Sequence, residues 1–239
     1  MEKRIIKQME NFKNTPDDLK FALLKELSNL PEDKKILDFL LNVAENEKYD
    51  KIRINTILLL RKYESDLVIN KLKTIFAFEH DRSVRLSIIE SLGNMNSKEI
   101  DDFFQNIVTK DLNDVVRGTI IRKLQERGNL DQNVMLELLL NIIQNDTSVF
   151  PIQIALNFLP LYAKLSTYNY VKNLFNKEEM FQMKKLLFRT LETISLKIKI
   201  DLDVNEPEEP IIEDTKKARR KRRKEQKKKK KGKDDYLYF

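Results

Sequence analysis

A chain of 239 residues, 41% hydrophobic and 35% charged, has the apolar material for one sizeable core, or for stacked repeats that share one, beneath a heavily charged exterior. Four Gly and six Pro leave little for the tight turns of an all-β fold, and the lack of cysteine excludes disulfides and thiolate metal sites. The formal charge of +7 divides unevenly: residues 1–200 hold 31 bases against 28 acids, residues 201–215 hold seven acids and no base, and residues 216–233 hold 14 bases and one acid.

In chain order, the opening MEKRIIKQMENFKN lacks the apolar stretch of a secretory signal, and no segment approaches the ~20 apolar residues that cross a bilayer. A soluble intracellular protein, cytoplasmic or nuclear, is therefore expected. Apolar residues at helical spacing predict helices over 17–29, 32–45, 50–62, 64–78, 81–95, 98–109, 113–127, 131–144, 147–162, 167–175 and 178–198. The stretch 32–45 carries Ile36, Phe39, Leu40 and Val43, and 98–109 carries Ile100, Phe103, Phe104 and Ile107. Asp81 and Asn113 are good N-cap types. Pro16 and Pro31 stand where helices begin, and Gly93 and Gly128 fall at helix ends, where a left-handed residue is useful. Gly118 sits awkwardly inside a helix, and Pro160 is expected to end or kink its own.

Residues 195–204, SLKIKIDLDV, alternate apolar and polar for five periods, as a strand does. They read either as an edge strand awaiting a partner's sheet or as the frayed end of the last helix followed by an extended segment on the final repeat. The second reading is preferred, because no other strand is evident to pair with it. The stretch 205–215, NEPEEPIIEDT, has two prolines and five acids and reads as a linker. Residues 216–233 follow with their block of bases, and 234–239, DDYLYF, read as a docking peptide or merely a sticky end.

The predicted helices repeat. Ile52-Arg53, Val84-Arg85 and Val116-Arg117 are spaced 32 residues apart, twice. Three, four and seven residues after each Arg come Thr56, Ile57 and Leu60; Ile88, Ile89 and Leu92; Ile120, Ile121 and Leu124. The register extends outward to Lys20 (Leu23, Leu24, Leu27), Pro151 (Ile154, Ala155, Phe158) and Lys184 (Leu187, Phe188, Leu191). A period near 32 with one such helix in each marks an array of helical hairpins.

The pattern Asp/Asn-x-x-Val/Ile-Arg opening an apolar helix, strongest in EHDRSVRLSIIESLGNM and DLNDVVRGTIIRKLQERG, resembles the HEAT-repeat (HEAT/armadillo-like) family over roughly residues 15–200. Tyr49 departs from it at the cap, and Pro151 and Lys184 depart from it at the Arg. The resemblance implies an all-α fold: a right-handed α-solenoid of about six hairpins over 1–200, its second helices lining the concave side. An acidic linker (201–215) and a disordered basic tail (216–239) complete the expected domain plan.

It also implies a scaffold or adaptor for proteins or nucleic acids. Arg53, Arg85 and Arg117 read either as a phosphate-binding row or, preferred, as repeat-junction residues that pair with an acid or carbonyl of the neighbouring unit, with Asp81 and Asn113 as structural caps. His80, in a turn with no nucleophile or carboxylate pair around it, reads as solvated. Repeat-built enzymes that resemble this chain use His-Glu iron ligands or tryptophans. One His and no Trp supply neither, so no catalytic residue, metal or cofactor is expected.

The basic block is expected to hold a polyanion through Lys216, Lys217, Arg219, Arg220, Lys221, Arg222, Arg223, Lys224, Lys227, Lys228, Lys229, Lys230 and Lys231. It contains no aromatic residue, so binding should be sequence-blind. The leading expectation is a non-catalytic adaptor with a protein partner on the helical body and nucleic acid or ribonucleoprotein on the tail. The alternatives are a protein-only scaffold, whose tail is a localisation signal or acidic-protein docking arm, and, more distantly, a repeat enzyme acting on nucleic acid.

Overall fold

The computed structural model describes residues 3–207, and the side chains of residues 178, 179 and 181 lie outside that description. Among the described residues there are twelve α-helices and no strand: α1 (Lys3–Glu10), α2 (Asp17–Ser28), α3 (Lys34–Asn46), α4 (Asp50–Leu60), α5 (Asp66–Phe78), α6 (Arg82–Gly93), α7 (Lys98–Ile107), α8 (Asp114–Arg127), α9 (Gln132–Asn145), α10 (Val149–Phe158), α11 (Leu165–Phe175) and α12 (Lys184–Ile198). The fold is all-α. The second helices of successive hairpins form a row, α2 on α4, α4 on α6, α6 on α8, α8 on α10 and α10 on α12, while the first helices flank it.

The core follows the 32-residue rhythm. Ile52, Ile57 and Leu60, then Val84, Ile88, Ile89 and Leu92, then Val116, Ile120, Ile121 and Leu124 are all buried. Residues three, four and seven apart lie on one helix face, so each second helix offers the row one continuous apolar stripe. Helix starts are fixed locally. The Asp81 carboxylate accepts the Ser83 and Val84 N–H groups, and the Asn113 side-chain oxygen accepts those of Val115 and Val116. Tyr49 begins α4 with no side-chain cap.

Several expectations are corrected. The helix expected over 147–162 stops at Phe158, and Pro160 sits in a 3-10 turn, Leu159–Tyr162. The stripe Ile152, Ala155 and Leu156 of α10 continues in Leu159 of the 3-10 turn, one residue later than the register anchored on Pro151. In α12 the buried set is Leu187, Thr190, Leu191, Ile194 and Ser195, with Phe188 only half-buried, and the expected 178–198 helix begins instead with a 3-10 segment, Glu178–Met183. Helix α1 was not anticipated, although Ile5 and Met9, four apart, form its inward side.

Gly128 closes α8 with φ 64°, a left-handed cap that a Cβ would strain. Gly93 is right-handed and serves differently: a Cβ there would run into the Lys123 stem, so its role is close approach. Gly118 does the same for the Phe150 ring.

Residues 195–198, within the alternating stretch, complete α12, which ends at Lys199 in a left-handed conformation. From Ile200 the chain runs without regular secondary structure over the last hairpin, with Ile200, Leu202 and Val204 half-buried against the core. Asp203 accepts the Tyr168 hydroxyl at 2.5 Å and pairs with Lys172, fastening this segment to α11.

Candidate functional site

The most ordered polar feature is a ladder along the edge where each first helix turns into its second. Four turns share one chemistry, an acid, an outward residue and a helix-starting residue: Glu47-Lys48-Tyr49, Glu79-His80-Asp81, Asp111-Leu112-Asn113 and Asp146-Thr147-Ser148. One oxygen of each acid accepts a backbone N–H of its own turn, from Tyr49 (3.1 Å), His80 and Asp81 (2.9 and 2.8 Å), Asn113 (2.9 Å) and Ser148 (2.8 Å). The other faces a cation of the preceding hairpin. Lys20 reaches Glu47 at 2.8 Å, Arg53 reaches Glu79 at 3.0 Å, Arg85 pairs with Asp111, and Arg117 grips both oxygens of Asp146, Oδ2 at 2.6 Å and Oδ1 at 2.7 Å.

Each arginine is also anchored at its own turn. Arg53 donates to the Glu47 and Lys48 carbonyls, Arg85 to those of Phe76 and Glu79, and Arg117 to that of Asp111. Arg85 in addition lies 3.8 Å over the Phe76 ring. One guanidinium thus ties its own turn to the next, using the fork of donors that lysine lacks. At the last rung the Arg117 side chain is 9% exposed and Asp146 5%, so these charges face each other and not an incoming phosphate.

The ladder should respond to acid. Burial resists ionisation of Asp146, but hydrogen bonds from Arg117 and the Ser148 N–H, with the Arg117 charge, outweigh it and hold the carboxyl below its ordinary value. Glu47 is depressed in the same way, burial being overcome by Lys20 and the Tyr49 N–H. A carboxyl with a lowered folded pKa contributes stability above its unfolded pKa, about 4 for Asp and Glu, and loses it as pH falls through the folded value. Thermal melts of Asp146→Asn against the parent should therefore show a Tm gap that is constant above about pH 5 and closes below about pH 4. A gap unchanged down to about pH 3 would show that the pair does not govern stability.

The opposite edge carries a second clamp that the sequence reading missed. Arg127, ending α8, pairs with Asp101 and donates to the Gly93, Met95 and Ser97 carbonyls, while Asn129 donates to the same Asp101. Two hairpins earlier, Lys62 donates to the Ser28 and Leu30 carbonyls. The visible signal was a cation 30 to 34 residues beyond the carbonyls it holds, close to the repeat period.

Lys123 is buried on α8; its stem crosses Gly93 and its ammonium reaches Glu90 at 2.7 Å and Glu126 at 2.9 Å. Glu90 is half-buried by that contact and by Arg122.

The outward face of the second-helix row is partly apolar. Leu58 is 40% exposed, Phe150 is 37% exposed, and Ile54, Leu86, Val115 and Ile154 are half-buried. His80 is exposed on a shallow cleft between two turns, lined also by Arg82, Lys110 and Leu112. Among the described residues no group of His, Cys, Asp and Glu gathers as metal ligands, and no helix is long and apolar enough to cross a membrane. The basic residues from Lys216 to Lys231 lie outside the described residues. Comparisons with protein-family models, with curated proteins and with solved structures find no match to this chain.

Proposed function

We propose that the protein is a non-catalytic, intracellular adaptor of HEAT-repeat type. Its hairpins form a right-handed α-solenoid, the outward face of its second helices holds a protein partner, and its basic tail contacts nucleic acid or ribonucleoprotein. The observation that carries this reading is the direction of the junction cations. Lys20, Arg53, Arg85 and Arg117 are engaged with acids and carbonyls of the fold, which leaves the 14 bases of 216–233 as the concentrated positive charge of the chain.

The repeated turn acid and the row of second helices support the solenoid, since four successive junctions are each made by a cation of one hairpin and the turn acid of the next. The partly apolar face around Leu58, Leu86 and Phe150 supports a protein partner there. The carboxylates of Asp101, Asp111 and Asp146, each paired with an arginine, support a structural assignment over an acid–base one.

Capture of the full chain from lysate with and without nuclease tests the division of labour. Nuclease should remove a bound RNA or DNA fraction and leave the proteins held by the helical body. A captured set indifferent to nuclease, with no nucleic acid in it, would favour the protein-only scaffold.

A further inference from the structure

At the N-terminal end of the row, α1, α2, α3 and the 3-10 turn Phe12–Asn14 enclose a cleft of about 480 Å³ that neither the ladder nor the second-helix face uses. Its floor is apolar: Met9, Phe12, Phe39 and Val43, with Phe12 and Phe39 edge to face at 5.0 Å. Its rim is cationic. Lys20 belongs to Glu47, but Lys13 and Lys48 form no ion pair among the described residues, against Glu10 as the one unpaired acid of the rim. A cleft of this size, with a mainly apolar floor and a few charges at its mouth, suits a short acidic–aromatic peptide.

The chain carries such a peptide. Asp234-Asp235-Tyr236-Leu237-Tyr238-Phe239 joins two carboxylates to three aromatic rings and a leucine, the complement of a lysine rim over a phenylalanine floor. We infer that residues 234–239 dock in this cleft of their own chain, the aspartates against Lys13 and Lys48 and an aromatic ring on Phe12 and Phe39.

The reach allows it. Neighbouring helices pack at about 8–10 Å, so the five steps from α12 back to α2 span about 40–50 Å. The about 27 residues between Pro207 and Asp234 cover roughly 30 Å as a flexible coil and at most about 90 Å fully extended. Repulsion within the basic block favours lengths between these. Docking would loop 216–233 along the near-neutral body, holding both ends of the nucleic-acid-binding block.

Because the chain has no cysteine, a disulfide trap on the full chain tests this cleanly. Asn46→Cys with Leu237→Cys, which leaves the proposed lysine–aspartate contacts intact, should close an intramolecular bridge under mild oxidation about tenfold faster than Arg61→Cys with Leu237→Cys, since docking raises the local concentration of one thiol at the other. Arg61 is exposed on the opposite edge of the same hairpin, so chain length and tether are matched. Lys13→Glu added to the first pair should slow its closure severalfold. Equal closure rates for the two pairs, or a bridge formed only between chains, would overturn the docking; nucleic-acid binding by the basic block would stand in either case.

Discussion

Leu92→Ala and Leu124→Ala are each expected to lower stability by about 2–5 kcal/mol, measured as a shift of the urea midpoint. Both side chains are at most 1% exposed, and each fills the seventh position of a central stripe between two packed neighbours. Removing them deletes transfer energy and leaves a cavity that flanking helices, held at both edges by the Arg85–Asp111 and Arg127–Asp101 pairs, cannot fully close. Lys51→Ala, on the exposed face of α4, should cost about 0.5 kcal/mol or less. Lys123→Ala belongs between them, at about 1–2 kcal/mol, because its stem is buried over Gly93 while its ammonium pairs with Glu90 and Glu126, both partly exposed. If Leu92→Ala and Lys51→Ala shift the midpoint equally, the register of the central repeats is wrong.

What the sequence disclosed follows from where information is local. The central hairpins were legible because an N-cap, an arginine and three apolar residues recur at fixed spacing within one helix. Asp81 and Val84, or Asn113 and Val116, need no knowledge of other helices to be placed. The fifth hairpin was misread by one residue because its turn acid, Asp146, follows Asp111 by 35 residues where the earlier turn acids are 32 apart, and Pro151 was taken for the residue matching Arg117 when Ile152 is. Alternation of Leu196, Ile198, Ile200, Leu202 and Val204 looked like a strand, yet its first third is the end of α12. Two residues spaced by two have no meaning for a helix that stops between them.

Contacts between hairpins were the least legible. The burial of Lys123 depends on a missing Cβ at Gly93, 30 residues away, and Arg127 finds Asp101 across a loop. Each lysine or arginine on its own helix looks like any solvated charge. The acids that complete the ladder, Glu47, Glu79 and Asp111, were visible in retrospect as the residue six before each Arg, a spacing that carries meaning only once the turn is known to fold back on the guanidinium. The basic block was legible in charge alone.

Titration of RNA and of duplex DNA from about 50 to about 300 mM salt, comparing the full chain with one ending after Val204, addresses the central claim most directly. The shorter chain keeps the segment fastened by Asp203 to α11, so its helical body is unchanged. Each phosphate neutralised by the block releases counterions. With about six engaged, the log–log slope of affinity against salt should be about −4 on single strands and about −5 on duplex, with no preference among sequences. The seven acids of 201–215 compete for the block and weaken binding without abolishing it. The chain ending after Val204 should lose nearly all affinity and show a flat salt dependence. A shortened chain that binds as tightly as the full one, with the same slope, would place nucleic acid on the helical body and contradict the account.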